Sequence, residues 1–166
     1  GISLVVFFLI FQRREVSQGG AATPASPRMR LPIYSQILDL FAQDTAFEGF
    51  MTEQYSLDLD EAQFAKMLFD HVREMSKDGR TRQGYGPLET QVLEYLKGIG
   101  GKLDLDIQTD LAGNVWMTLP GTDRTLPAFV SGSHADSVPQ GGNYDGLAGI
   151  VAALCAAHWM RRHHYT

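Results

Sequence analysis

Residues 130–149 read Val-Ser-Gly-Ser-His-Ala-Asp-Ser-Val-Pro-Gln-Gly-Gly-Asn-Tyr-Asp-Gly-Leu-Ala-Gly, and this stretch decides the interpretation of the chain. An apolar run ending at Val130 leads to His134, and Asp136 follows two positions later. A turn rich in proline and glycine then leads to a second carboxylate, Asp145, at the start of a helical pattern. Imidazole nitrogen and carboxylate oxygen are the usual protein ligands of zinc and manganese. The pattern therefore favours a divalent-metal site on loops that follow a buried strand.

Each of these side chains also has a purely structural interpretation. Asp145 directly precedes a helical pattern, where an aspartate can cap the free N–H groups with or without a metal. Asp136 could form an Asx turn ahead of Pro139. Asp136 nevertheless favours a ligand role for His134, because a metal-bound histidine usually donates its other N–H to an acceptor that fixes the tautomer. On the residues alone, Asp145 is either a cap or a ligand.

Composition limits the class of protein. The chain has 166 residues, of which 44% are apolar, and a formal net charge of −5. This length gives room for one domain, and the acidic balance argues against a nucleic-acid-binding surface, which needs clustered cations. Cys155 is the only cysteine, which excludes an internal disulfide and is compatible with a reducing compartment. Because Cys155 lies in a helical pattern of small residues, we predict a buried, unreactive thiol.

The N-terminal part is interpreted as an extension without catalytic residues. Residues 2–11 are apolar apart from Ser3, but a membrane-spanning helix needs about 20 apolar residues. They fit either the remnant of a signal peptide or anchor, or an incomplete N-terminus. Glycine, alanine, serine and proline predict a flexible linker over residues 17–32, and residues 33–41 form at best a short amphipathic helix. The predicted divisions are residues 1–32 (apolar stretch and linker), 33–57 (poorly assigned extension) and 58–166 (catalytic-domain part).

From Asp60 onward, periodicity predicts alternating helices and strands. Asp60 and Gln63 indicate the start of a helix that ends at Gly79. Pro87 suits the first turn of a second helix, which is expected to end at residues 98–101. Two strands with alternating apolar residues follow, Leu103 to Gln108 and Val115 to Leu119, joined by a turn at residues 110–113.

Residues 128–131 form a third apolar run without polar alternation, which predicts a fully buried strand. The last helix is predicted from Gly146 to about Arg162, with Asp145 at its N-cap. Helices that alternate with strands around a buried strand indicate an α/β domain with a mixed sheet. Ligands bind such sheets beyond the carboxyl ends of the strands, which is where His134 falls.

The quoted stretch resembles a known family. Gly-Ser-His-x-Asp-Ser-Val-Pro followed by Gly-Gly-Asn-Tyr-Asp-Gly is similar to the first metal-binding motif of the dinuclear metallohydrolases. The similarity is greatest to their amidase branch, which comprises N-carbamoyl-L-amino acid hydrolases, ureidopropionases and allantoate amidohydrolases, and it extends back to about Asp60. The resemblance implies that His134 binds one metal, that Asp145 bridges two, and that Asp136 orients His134. The ions implied are a pair of zinc, manganese, cobalt or nickel ions.

The resemblance also carries expectations about the whole enzyme. It implies the mixed-sheet core of a dinuclear metallohydrolase catalytic domain, with a small ureido or amide substrate, no nucleic-acid partner and a homodimer in the full-length enzyme. The family's general base, its remaining metal ligands and its lid or dimerisation domain are expected beyond Thr166. This chain is therefore expected to be an N-terminal fragment, inactive by itself. A cytoplasmic location is expected, although the apolar stretch leaves a signal or anchor open.

Other polar residues are weaker candidates. Residues 77–86 contain an Asp-Gly-x-Thr-Arg-x-x-Tyr pattern that also occurs in the amidase branch. Arg82 or Tyr85 could therefore lie near the active-site entrance, or this segment could be a solvated connector. His71 lies on an apolar helical face and is interpreted as a core or boundary residue. No role is assigned to the histidines near the end of the last helix, which are His158, His163 and His164.

Three functions remain open from the sequence. The first is a fragment of a metal-dependent amidase that hydrolyses linear C–N bonds outside peptides. The second is a dipeptidase or aminopeptidase of the same superfamily. The third is a catalytically inactive truncated protein that pairs with an intact enzyme, for which an exposed sheet edge would be suited.

Overall fold

Helices and strands alternate around a four-stranded sheet in the computed structural model, which describes residues 6–11 (backbone only), 58–76, 81–121 and 127–164. All of these residues fall within one compact unit, formed by residues 1–16 and 57–166. The strands are β1 (Val6–Phe11), β2 (Asp106–Thr109), β3 (Val115–Leu119) and β4 (Phe129–His134). The helices are α1 (Glu61–Met75), α2 (Pro87–Lys102) and α3 (Leu147–Arg162). The predicted α/β class is thereby confirmed.

The sheet contains both parallel and antiparallel pairs, in the order β2-β3-β1-β4. Strand β1 is parallel to β3, with Phe7 opposite Val115, and antiparallel to β4, with Val6 opposite His134. Strands β2 and β3 are antiparallel. Residues 6–11, which the sequence suggested as part of a signal, an anchor or an incomplete terminus, thus form a strand between β3 and β4. The predicted linker and short helix of residues 17–41 lie outside the described residues.

Helix α1 begins at the predicted capping box. The Asp60 carboxylate accepts the Gln63 N–H at 2.8 Å, and the Gln63 side chain accepts the Asp60 N–H at 3.0 Å. These reciprocal bonds satisfy N–H groups that the first turn leaves free. The helix buries Phe64, Leu68 and Val72 on the predicted apolar face. It ends at Met75, whereas the predicted end at Gly79 lies outside the described residues.

Helix α2 is longer than the sequence predicted. It continues through residues 98–101 to Lys102, and among the glycines there Gly100 packs closely against the sheet. A Cβ on Gly100 would lie 2.5 Å from the Sδ atom of Met117 in β3. Strand β2 consequently begins at Asp106, three residues later than the predicted start at Leu103.

Strand β3 and the turn before it agree with the sequence. Val115, Met117 and Leu119 are buried and alternate with partly exposed residues. The Asp110 carboxylate accepts backbone N–H groups two and four residues later, both at 2.9 Å, which closes the predicted turn.

Strand β4 is not the fully buried strand that its apolar run predicted. Phe129 is 69% exposed and Val130 is 48% exposed. The reason is position, since β4 lies at the end of the described sheet order and pairs only with β1 among the described strands. Strand β4 nevertheless ends at His134, so it delivers the predicted ligand to the loop that follows.

Helix α3 packs on the sheet and on α1 through a continuous apolar face. Its buried residues are Leu147, Ile150, Val151, Ala153, Leu154, Ala157 and His158. Cys155 is partly and not fully buried, but burial still raises the pKa of its thiol to about 11, in keeping with the predicted unreactive thiol. Among the described helices, none has the length and apolar character needed to cross a membrane.

Candidate metal centre

His134 is held in one tautomer by Asp136. Its Nδ1 lies 2.9 Å from a carboxylate oxygen of Asp136 and 3.1 Å from the carbonyl oxygen of the same residue. A carbonyl oxygen can only accept a hydrogen bond, so Nδ1 carries the hydrogen. In the neutral ring, Nε2 then presents its lone pair, which is the form of imidazole that binds metals.

Asp145 faces His134 and does not cap the helix. The N-cap of α3 is Gly146, with no side-chain capping bond, so the predicted capping position of Asp145 is wrong by one residue. One oxygen of Asp145, Oδ2, accepts the Val138 N–H at 2.9 Å. The other, Oδ1, lies 3.9 Å from His134 Nε2. This geometry removes the capping role that competed with metal binding in the sequence.

Gly146 makes the close approach of helix α3 to His134 possible. Its φ of +70° and ψ of −47° place it at the centre of a γ-turn, in which the Leu147 N–H donates to the Asp145 carbonyl at 2.8 Å. This conformation is strained for residues that carry a Cβ. A Cβ at this position would also lie 2.6 Å from both Cε1 and Nδ1 of His134. Glycine is thus required by conformation and by space.

One oxygen of Asp145 and the free ring nitrogen of His134 lie close enough for one cation to contact both. Zinc–nitrogen and zinc–oxygen bonds are each about 2.0–2.2 Å long, so donor atoms 3.9 Å apart are within reach of a single ion. Across the described residues, no group of three or more histidine, cysteine, aspartate or glutamate side chains is arranged to hold a metal. Within the described part of the chain, His134 and Asp145 are therefore a pair of candidate ligands without a third.

Arg82 lies beneath the loop that connects β4 to α3, residues 135–146, which we call the ligand loop. The side chain is only 1% exposed, and its guanidinium donates to backbone carbonyls of this loop. Because Arg82 is buried, the alternative interpretation as a solvated connector does not hold for this residue. Burial lowers the pKa of Arg82, whereas the neighbouring carboxylates, Asp145 first, raise it.

Glu89 is a buried carboxylate near this site that the sequence interpretation missed. It is 1% exposed, and one of its oxygens accepts the backbone N–H of Tyr85. Its other oxygen has no hydrogen-bond partner among the described residues. Burial raises the pKa of Glu89 and the Tyr85 N–H lowers it. The available signal was its place in the first turn after Pro87, where acidic side chains reach back to the N-cap region.

The tyrosine and the other histidines considered from the sequence have surroundings that differ from those of His134. Tyr85 is 69% exposed. The His71 ring lies 4.1 Å from that of Tyr95, as expected for a core or boundary residue, and burial lowers its pKa. The His158 ring is fully buried and stacks on Phe64 at 4.3 Å between centroids. His163 is exposed and packs beside Trp159, with ring centroids 4.6 Å apart.

Comparison with known proteins gives partial matches to hydrolases. Ureidoglycolate hydrolase of Oryza sativa subsp. japonica is 38% identical over 82 residues, 49% of this chain and 17% of that protein. N-carbamoyl-L-amino-acid amidohydrolase of Paenarthrobacter aurescens is 38% identical over 106 residues, 61% of this chain and 26% of that protein. Allantoate amidohydrolase of Escherichia coli strain K12 is 39% identical over 85 residues, 50% of this chain and 20% of that protein.

These matches span only 17% to 26% of the length of the three relatives. No family model matches the chain, and no solved structure shows a significant match. The similarity agrees with the resemblance carried by the motif of residues 132–146. At this partial coverage, the matched region is related to the amidase branch of the amidohydrolase and peptidase superfamily.

Proposed function

We propose that this chain supplies part of the metal centre of a hydrolase that cleaves linear C–N bonds outside peptides. The observation that best supports this proposal is the arrangement of His134, Asp136 and Asp145. The ring nitrogen that remains free after the contact with Asp136 lies 3.9 Å from a carboxylate oxygen of Asp145. A structural capping aspartate would not place its carboxylate there.

Each of the three side chains has a distinct part in this proposal. His134 is the nitrogen ligand, and Asp136 keeps the hydrogen on Nδ1 so that Nε2 stays available. Asp145 is the oxygen ligand and, in a dinuclear site, the bridging one. The Val138 N–H fixes one oxygen of Asp145 and so orients the carboxylate. When bound, divalent ions in such a site polarise a carbonyl group and lower the pKa of bound water.

The substrate class in the proposal is an N-carbamoyl amino acid or a ureido compound such as allantoate. It is supported by the names of the relatives, which refer to ureidoglycolate, N-carbamoyl-L-amino acids and allantoate. The reaction also requires further metal ligands and a general base, and the described residues contain no group of three or more histidine, cysteine, aspartate or glutamate side chains that could hold a metal. We therefore place catalysis in the complete protein, with a pair of zinc, manganese, cobalt or nickel ions.

A chimera tests the proposal. Residues 58–164 replace the equivalent segment of the Paenarthrobacter aurescens amidohydrolase, in native form and with His134→Ala. His163→Ala, an exposed histidine outside the ligand loop, is the matched control. We expect manganese-dependent release of the amino acid from N-carbamoyl substrates by the native and His163→Ala chimeras, and none by His134→Ala with an unchanged melting temperature.

Two results would contradict the proposal. One is equal turnover by the native and His134→Ala chimeras, which would show that His134 is not part of the reacting centre. The other is a folded native chimera that hydrolyses dipeptides in preference to N-carbamoyl amino acids, which would move the chain to the peptidase side of the superfamily.

A further inference from the structure

The ligand loop has to fix the distance between two ligands without help from regular structure. His134 is the last residue of β4, whereas Asp145 comes at the end of the ligand loop, just before α3 begins. Between them lie ten residues without helix or strand. The separation of the ligand atoms therefore depends on what holds this loop in place.

Arg82 contacts the ligand loop at its start, in its middle and near its end. Its guanidinium donates to the backbone carbonyls of Ala135 (2.9 Å from Nε), Gly142 (3.4 Å from Nη1) and Asp145 (2.6 Å from Nη2). The Arg82 backbone adds a second set of contacts, because its N–H donates to Ser137 Oγ at 2.9 Å and its carbonyl accepts the Ser137 N–H at 2.7 Å.

The chemistry of the guanidinium explains why an arginine occupies this position. It is planar and always charged, and it carries five N–H donors in a fixed fork. Hydrogen bonds from an ionised donor are stronger than neutral ones. With the side chain 1% exposed, water has little access to replace these bonds. A lysine would keep the charge but could not reproduce the fork, which reaches three separated carbonyls.

We infer that Arg82 is a positioning residue, which clamps the ligand loop and thereby holds Asp145 opposite His134. This inference rests on the proposed function, since it assigns Arg82 to the same metal centre. Arg82 contacts the backbone of Asp145 and leaves the Asp145 carboxylate to its own partners. Loss of the clamp is therefore expected to change the geometry of the ligand pair while both ligand side chains remain present.

The test is a titration of the purified chain with cobalt(II), followed by visible absorption. The band positions and intensities report coordination geometry, which a change in overall stability would not alter. The variants are Arg82→Lys and Arg82→Met, with Ser137→Ala as a milder change that removes one contact to the Arg82 backbone. All are compared under conditions where circular dichroism shows a folded chain.

Arg161→Lys is the matched control. The Arg161 guanidinium also donates to backbone carbonyls, those of Leu103 at 2.8 Å and of Asp104, but these belong to the turn after α2. We expect Arg82→Lys and Arg82→Met to weaken cobalt binding about 10–100-fold, the range typical of residues that support metal ligands, and to change the spectrum. Ser137→Ala is expected to shift both measurements in the same direction by less, and Arg161→Lys to shift neither.

Different results would refute the clamp and the proposed function. If wild type binds cobalt, His134→Ala abolishes binding, and all folded Arg82 and Ser137 variants match wild type in affinity and spectrum, the clamp is refuted and the proposed function stands. If Arg161→Lys has the same effect as Arg82→Lys, the effect is general destabilisation and the clamp is again refuted. If wild type does not bind cobalt, or if His134→Ala binds cobalt as well as wild type does, the proposed function itself fails.

Discussion

Replacing Gly146 by alanine should destabilise this chain more than any comparable substitution at an open glycine. Gly146 has a φ of +70°, in a region that residues with a Cβ rarely occupy. The new methyl group would lie 2.6 Å from Cε1 and Nδ1 of His134. Two separate costs therefore arise, one from the backbone conformation and one from the contact with His134, whose backbone carbonyl oxygen would lie even closer to the methyl group than its ring does.

The magnitude follows from adding these costs. A sparsely populated backbone conformation such as this γ-turn costs a residue with a Cβ about 1–3 kcal/mol, and overpacking at a filled position costs about 1–3 kcal/mol. Their sum for Gly146→Ala is about 2–6 kcal/mol of unfolding free energy. Gly113→Ala is the matched control, because Gly113 has a φ of +90° and no atom within 4 Å of the position that a methyl group would take. It should lose only the backbone part, about 1–2 kcal/mol.

The assay is equilibrium unfolding in urea, followed by circular dichroism for wild type and both variants. The difference between the two variants isolates the contact between residue 146 and His134. A larger loss for Gly146→Ala supports the close approach on which the site geometry depends. Equal losses for the two variants would show that nothing crowds position 146 and would rule out the close approach to His134.

Three further outcomes can be checked by the same unfolding assay. Gly100→Ala should lower the unfolding free energy by about 1 kcal/mol, because its methyl group meets the buried Met117. At Gly101 no atom lies within 4 Å of the position that a methyl group would take, so Gly101→Ala should raise the unfolding free energy by up to about 0.5–1 kcal/mol through helix propensity. Changes of the same sign at both positions would contradict the packing of α2. Burial lowers the pKa of His158 below its usual 6.5, so the unfolded state binds more protons as the pH falls through 6.5 and wild type should lose stability between pH 7.5 and 5.5. His158→Phe should lose less over this interval, whereas the exposed control His163→Phe should behave as wild type; an unchanged loss in His158→Phe would contradict the burial of a neutral His158.

Local patterns were sufficient for much of the fold. The capping box of Asp60 and Gln63 and the alternation along β3 depend on residues a few positions apart, and both occur as predicted. The turn at Asp110 is likewise made by its own carboxylate and the next few N–H groups. These features are readable because the sequence neighbours that form them are also the spatial neighbours.

Features that depend on distant residues were not predictable from local patterns. The burial of β4 depends on which strands flank it. Phe129 and Val130 are exposed because β1 is the only described strand that flanks β4. In α2, which continues to Lys102, Gly100 packs against Met117 of β3, a residue 17 positions away. A local pattern that favours burial or termination cannot report such contacts.

The candidate metal centre was likewise predictable only where the sequence motif itself contains the residues. The motif identified His134, Asp136 and Asp145 as neighbours, and the structure brings them together. It did not reveal what holds them, because the contacts of Arg82 to the ligand loop join residues 53 to 63 positions apart. The sequence placed the N-cap of α3 at Asp145, whereas the structure has it one residue later, at Gly146. The backbone conformation of Gly146 decides between these two N-cap positions.

The most direct test of the central claim is a long-range ¹H–¹⁵N NMR spectrum of the five histidines, recorded with and without zinc. The His134 signals are assigned by comparison with His134→Gln. Our account predicts that zinc shifts Nε2 of His134 to the position of a metal-bound nitrogen, while Nδ1 stays protonated through Asp136. A spectrum in which zinc leaves His134 unchanged, or shifts Nδ1 in its place, would contradict the account.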